Sequence, residues 1–286
     1  MPDVASSVSG RRRRPGSEIW RGVLYGYCAL ICVYLIAPMF VILPLSFGSA
    51  PYLTFPPTGF SLQWYRAYFE SEQWRNATVL SVQIALAVTV LATVLGTLAA
   101  LGLSRSEFRF KRVLNAFLVS PLVVPVIIMA IAIYHLYARM QLIGTPFGVV
   151  LAHTVLALPF VIVTVSAGLT GLDRNLELAA RTLGASATQT FLRVTLPLIA
   201  GPIVAGALFA FITSFDEVVI AIFIGGTSAI TLPKQMWDGV RNELSPTITA
   251  VASVMILVSV LLLALVSLVM HRVERLRNGV ARKGRE

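Results

Sequence analysis

Six apolar stretches of membrane length divide this chain, at residues 22–47, 77–103, 113–138, 147–170, 198–224 and 246–270. Each reaches the roughly 20 residues that cross about 30 Å of hydrocarbon at about 1.5 Å per residue. A bilayer offers no water to backbone amides, so runs this long close their hydrogen bonds as helices. Strands of a membrane barrel would be shorter and alternating. Only 13% of the residues are charged and 57% are hydrophobic, about half the charge that a soluble surface carries. The expectation is an all-α integral membrane protein with six transmembrane helices. A single transmembrane domain over 22–270 would lie between a disordered basic tail at 1–21 and a second basic tail at 271–286.

The distribution of Lys and Arg orients the helices. If the N-terminus lies inside, 18 of the 23 cationic residues fall on the cytoplasmic side. They include Arg11, Arg12, Arg13 and Arg14, the group Arg105, Arg109, Lys111 and Arg112, and Arg174, Arg181 and Arg193. The positive-inside rule therefore predicts that both termini are cytoplasmic. The net charge of +10 reads as a topology signal and as contact with anionic headgroups, not as a nucleic-acid footprint. The first apolar run is too long for the core of a cleaved signal peptide. Cys28 and Cys32, one turn apart within it, read as small apolar filler, since a structural zinc site needs about four ligands.

Between the first two runs, Leu62, Tyr65, Tyr68 and Phe69 recur at helical spacing and predict a short amphipathic helix at the outer interface or a surface for a partner. Pro38, Pro121, Pro125 and Pro159 fall inside apolar runs and predict kinks. His135 and His153, near the outer ends of their spans, read as satisfied or interfacial histidines, with no metal site expected.

The connection at 171–197 is unlike a simple loop. Asn175 is placed to cap a helix carrying Leu176, Ala179, Ala180 and Leu183 on one stripe, with Glu177, Arg181 and Thr182 facing elsewhere. Gly184 suits the left-handed residue that ends such a helix. Ser186 with Gln189 forms a capping-box pattern that opens a second helix through Phe191, Leu192 and Val194, and Pro197 marks the turn into the next span. Two short amphipathic helices of this kind can serve as a knob for a partner's groove or can pack back on their own spans.

These residues resemble the cytoplasmic motif of permease subunits of binding-protein-dependent ABC importers. That motif reads Glu-Ala-Ala, then Gly four residues on, then Ile-x-Leu-Pro. The chain matches it at Ala179, Ala180, Gly184, Leu196 and Pro197, with Val194 at the Ile position. Leu178 occupies the Glu position, and Glu177 lies one residue early. Gly59-Phe60-Ser61-Leu62-Gln63-Trp64-Tyr65, Ser214-Phe215-Asp216-Glu217-Val218-Val219 and Thr231-Leu232-Pro233-Lys234-Gln235-Met236-Trp237 are similar to the branch that carries polyamines. The resemblance spans roughly residues 55–270. It implies a bacterial inner-membrane transport subunit for putrescine or spermidine, with 171–197 as its coupling loop to an ATPase. It also implies a second homologous permease, a pair of ATP-binding cassette subunits and an external solute-binding protein. Iron, sulfate and phosphonate importers share the architecture.

A phosphate loop needs Gly directly before its Lys, whereas Lys111, Lys234 and Lys283 follow Phe110, Pro233 and Arg282. ATP hydrolysis is therefore expected in another polypeptide, and no cofactor or catalytic residue is expected here. The adjacent acids Asp216 and Glu217, inside the fifth run, are costly in lipid, by about 2.5–3.5 kcal/mol each at a helix centre. Either they offer a polar lining to a cationic solute, or the helix ends near Phe215 and they sit in a turn bonded to Lys234 or to backbone donors. An ion-coupled secondary transporter would show repeated, broken helices in two halves, and no such repeat is evident. A membrane enzyme would need a fuller constellation around the acid pair.

Overall fold

A computed structural model describes residues 16–242 and 245–283. It is all-helical among the described residues, apart from a single β-bridge between Gly48 and Phe60. In chain order the helices are α1 (Gly16–Ser46), α2 (Gln63–Glu70), α3 (Glu72–Arg105), α4 (Lys111–Val119), α5 (Val126–Met140), α6 (Pro146–Thr170) and α7 (Arg174–Thr182). They continue as α8 (Ala187–Thr190), α9 (Leu196–Leu198), α10 (Ala200–Phe215), α11 (Val219–Ile224), α12 (Leu232–Asn242) and α13 (Thr247–Lys283).

Four segments are long and apolar enough to cross a membrane: Gly22–Ser46, Glu72–Arg105, Pro146–Thr170 and Thr247–Leu265. The number rises to six if each of two bent helix pairs is one span. The run at 113–138 is one of these pairs, and the kink expected at its prolines is a sharp bend. Lys111–Leu122 meets Val126–Met140 at 103°, because Pro121 lies in a tight 3-10 turn and Pro125 caps α5. Neither proline can donate the backbone hydrogen bond that would carry the helix through. Pro38 and Pro159, by contrast, lie within helices that continue past them. The run at 198–224 is also broken. After α10 the chain leaves the helix at Asp216 and resumes at Val219.

The core is a sheaf of α3, α6 and α10, and its centre is built from small residues. Ala85, Ala92 and Ala100 on α3, Ala152 and Ala157 on α6, and Ala210 on α10 are all fully buried. In lipid, helix association relies on close backbone approach instead of water exclusion, so small side chains at the contact are the stabilising choice. Val161 of α6 shows how close the approach is. A Cβ added at Gly96 of α3 would lie 2.7 Å from the Val161 side chain, and one at Gly206 of α10 would lie 3.1 Å from the Val161 backbone. α11 packs on α5 and α6.

α1 leans on α13. Its side chains from Gly22 through Val41 are exposed, as expected of a helix whose surroundings are lipid or another chain. Cys28 and Cys32 are free thiols on this exposed helix. The first tail differs in part from the expectation: α1 already begins at Gly16, inside the segment read as disordered, and residues 1–15 lie outside the described residues. The second tail is expected only to be basic, and α13 runs through it to Lys283. The short helix expected before the second span is present as α2, anchored where Trp64 Nε1 donates to the Gly48 carbonyl at 2.8 Å.

Candidate functional site

Two places carry chemistry, one at each end of the α3, α6 and α10 sheaf. At the end marked by Arg105, the connection after α6 folds into α7 and α8. Asp173 caps α7, accepting from the Asn175 amide at 2.9 Å. This corrects the assignment of the cap to Asn175, which is already helical. Asp173 has the extended backbone that a capping residue needs, and its carboxylate also suits the positive end of the helix.

The helix ends on Gly184, whose φ is +88°. The Gly184 amide bonds the Arg181 carbonyl at 3.0 Å, and the Ala185 amide reaches the Ala180 carbonyl at 3.1 Å. Those two bonds form the Schellman closure that a left-handed glycine permits. The capping box of α8 is complete. The Gln189 amide donates to Ser186 Oγ at 3.2 Å, and the Ser186 amide donates to Gln189 Oε1 at 3.0 Å.

The second helix departs from the α-helix expected through Val194. Phe191–Thr195 is a wider π-turn, in which the Leu196 amide bonds the Phe191 carbonyl. Pro197 accounts for it, since in an α-helix its ring would press on the carbonyl four residues back. The following bend into α10 is 72°.

The loop has two unlike faces. Leu176 and Leu183 point away from the bundle, Leu183 at 88% exposure, whereas Leu178 lines the cleft beside Glu177. Ala179 and Gly184 are exposed beside them, while Ala180, Phe191 and Leu196 are half-buried and Pro197 is exposed. Of the stripe read from the sequence, Leu176, Ala179 and Leu183 are thus exposed and Ala180 is half-buried. Glu177 turns inward, its side chain only 14% exposed. It accepts from Arg105, the last residue of α3, and from Thr195 Oγ1 at 2.7 Å. Arg174 adds a bond from its guanidinium to the Ser104 carbonyl at 3.1 Å. A cleft of about 390 Å³ opens beside this cluster, lined by Arg105, Glu177, Arg181 and Phe191 among others.

At the other end, α10 stops at Phe215, and the two acids part company. Glu217 caps α11, accepting from the amides of Val219 at 3.1 Å and Ile220 at 2.7 Å. Behind it, His153 of α6 is buried, with Nδ1 3.0 Å from Ser214 Oγ and Nε2 3.9 Å from the Glu217 carboxylate. Lys234 does not join the acid pair, because it bonds Asp238 one turn along α12 at 2.9 Å. Asp216 is exposed. It sits on a cleft of about 250 Å³ walled by Met236, Trp237, Val240 and Met255. A carboxylate next to an indole and flexible apolar walls is an arrangement that can hold an alkylammonium group.

Sequence reading brought out Glu177 but not its partners. Arg105 entered only as a topology charge, and Thr195 carried no signal as a partner for a carboxylate.

Comparison with known proteins agrees with this architecture. The family described as binding-protein-dependent transport system inner membrane component matches residues 92–278. The chain is 32% identical over 247 residues to the spermidine/putrescine transport system permease protein PotC of Haemophilus influenzae, covering 85% of this chain and 94% of that one. It is 34% identical over 230 residues to the putrescine transport system permease protein PotI of Escherichia coli K12, covering 78% and 82%. Among solved structures, a bacterial ABC transporter that imports the acidic polysaccharide alginate superposes with a TM-score of 0.69 at 15% identity. That alignment covers 90% of this chain and 99% of the other, and at such identity it speaks to the fold alone. The chain belongs to the binding-protein-dependent transport system inner membrane components, and it is a permease subunit of an ABC importer.

Proposed function

We propose that this subunit forms half of the pathway of an ATP-driven importer for putrescine or spermidine. The observation that carries the solute is the similarity to PotC, which extends over 94% of that permease's length. The geometry at Asp216 supports it, since a flexible aliphatic diamine needs an anionic contact for its ammonium and apolar walls for its methylenes. In this reading Asp216 faces the pathway, and Glu217 shapes the turn that presents it.

The chain crosses the bacterial inner membrane six times with both termini in the cytoplasm, each bent pair serving as one span. Residues 171–197 then lie at the cytoplasmic face. The exposed stripe of Leu176, Ala179 and Leu183, ended by Gly184, suits an apolar groove on an ATP-binding cassette subunit. Phe191, Leu196 and Pro197 set the angle at which it is presented. ATP is bound and hydrolysed by that separate chain, and this subunit contributes no catalytic group. A second homologous permease completes the pathway, and an external solute-binding protein delivers the solute.

The test is uptake of labelled putrescine and spermidine by a strain lacking the gene, in a host without a redundant polyamine importer. Lost uptake that a plasmid copy restores is the expected result. Unchanged uptake would discard the polyamine assignment and leave the importer architecture in place.

A further inference from the structure

We infer that Glu177 is a positioning residue that locks the coupling loop to the transmembrane sheaf, so that α7, the end of α3 and the π-turn ahead of α10 move as one piece. The inference rests on reading 171–197 as the loop that an ATPase moves. Covalently, α7 is joined to α6 by a short turn at Gly171, Leu172 and Asp173, and it reaches α10 only through α8 and the π-turn. A push on α7 carried by those joints alone would be absorbed as local bending.

The side-chain contacts bypass them. One carboxylate oxygen of Glu177 takes the Arg105 guanidinium from α3 and the Thr195 hydroxyl from the π-turn. Thr195 is itself buried at 3% exposure, so the bond is sheltered from water. Arg174 ties the first turn of α7 to the Ser104 carbonyl, again at the end of α3. Both ties lie on the inner side of α7, while Leu176 and Leu183 are exposed on the outer side. A partly buried, charge-assisted cluster that joins three elements holds them more tightly than a solvent-exposed ion pair would. Glu177 therefore acts through Arg105 and Thr195, and it is not available to the ATPase as a surface charge.

Spin labels provide the test. Val90 on α3 and Thr182 on α7 are replaced by cysteine in a Cys28→Ser, Cys32→Ser background, and the full transporter is reconstituted with its ATPase. The distance between the labels is recorded without nucleotide and with ATP plus vanadate. The expected result is one narrow distribution, unchanged between the two states. Glu177→Ala and Arg105→Ala broaden it, and Glu177→Gln does so if the alanine variants fail to assemble. The exchanged pair Arg105→Glu with Glu177→Arg narrows it again. The putrescine moved per ATP hydrolysed falls several-fold in the single variants and recovers in the exchanged pair. A distance that changes with nucleotide in the unaltered chain, or single variants that keep both the narrow distribution and the ratio, would overturn the inference. A chain that moves no putrescine would remove the polyamine reading, and the distance measurement would still decide this one.

Discussion

The acids at 216 and 217 show how neighbouring residues of similar chemistry acquire different work from the backbone beneath them. Once α10 ends, Glu217 has two amides of the next helix within reach and is consumed in capping them. Asp216 is left facing a cleft with Trp237 and Met236. Sequence alone held both options open; the structure puts both acids in the break after α10, Glu217 on backbone donors and Asp216 exposed on a cleft. The pairing with Lys234 failed because Asp238, one turn away on the same helix, is the nearer acid. Asp216→Asn preserves the size of the side chain while removing its charge. A charge-assisted bond to an ammonium contributes about 1.5–3 kcal/mol, so the KM for putrescine should rise about ten- to a hundredfold. Uptake kinetics in membrane vesicles measure this, and an unchanged KM would place Asp216 off the pathway.

At the scale of elements, punctuation was legible wherever a residue type has few alternatives. Gly184 and the box formed by Ser186 and Gln189 were readable because a left-handed terminus and a reciprocal cap each demand particular side chains. The cap of α7 was misread by two residues, since Asp173 and Asn175 are both good capping residues and only backbone geometry separates them. The bends were harder to foresee. Proline announces a lost hydrogen bond but not whether neighbouring helices will hold the segment straight, and Pro159 and Pro125 came out opposite. At Gly184 an added Cβ meets nothing within 4 Å, so only its φ restricts substitution. A β-branched residue there is opposed by at least about 1–2 kcal/mol, whereas asparagine tolerates that region. Gly184→Val should uncouple uptake from ATP hydrolysis, and Gly184→Asn should retain most of it. Normal uptake by a stably expressed Gly184→Val variant would remove the loop from the coupling path.

For the molecule as a whole, the apolar runs announced an all-helical membrane protein, but they could not say which runs form one rod and which fold into two. Lipid rewards apolarity on both arms of a bend alike, so hydropathy is blind to it. Orientation came from charge alone and can be measured directly. With Cys28 and Cys32 changed to serine, a cysteine at Glu107, exposed in the connection between α3 and α4, should react with a membrane-impermeant maleimide in inside-out vesicles and stay unlabelled in intact cells. The opposite pattern would invert the topology.

The contact of Val161 with glycines on both sides has a consequence for how this fold can vary over time. One residue sets the approach at two helix interfaces, by its side chain toward Gly96 and by its backbone toward Gly206. A larger residue at 161 would have to be accommodated by α3 and α10 at once, and a smaller one would leave a void against each. A change at 161 is therefore felt at both seams, whereas a change at 96 or 206 is felt at its own seam alone.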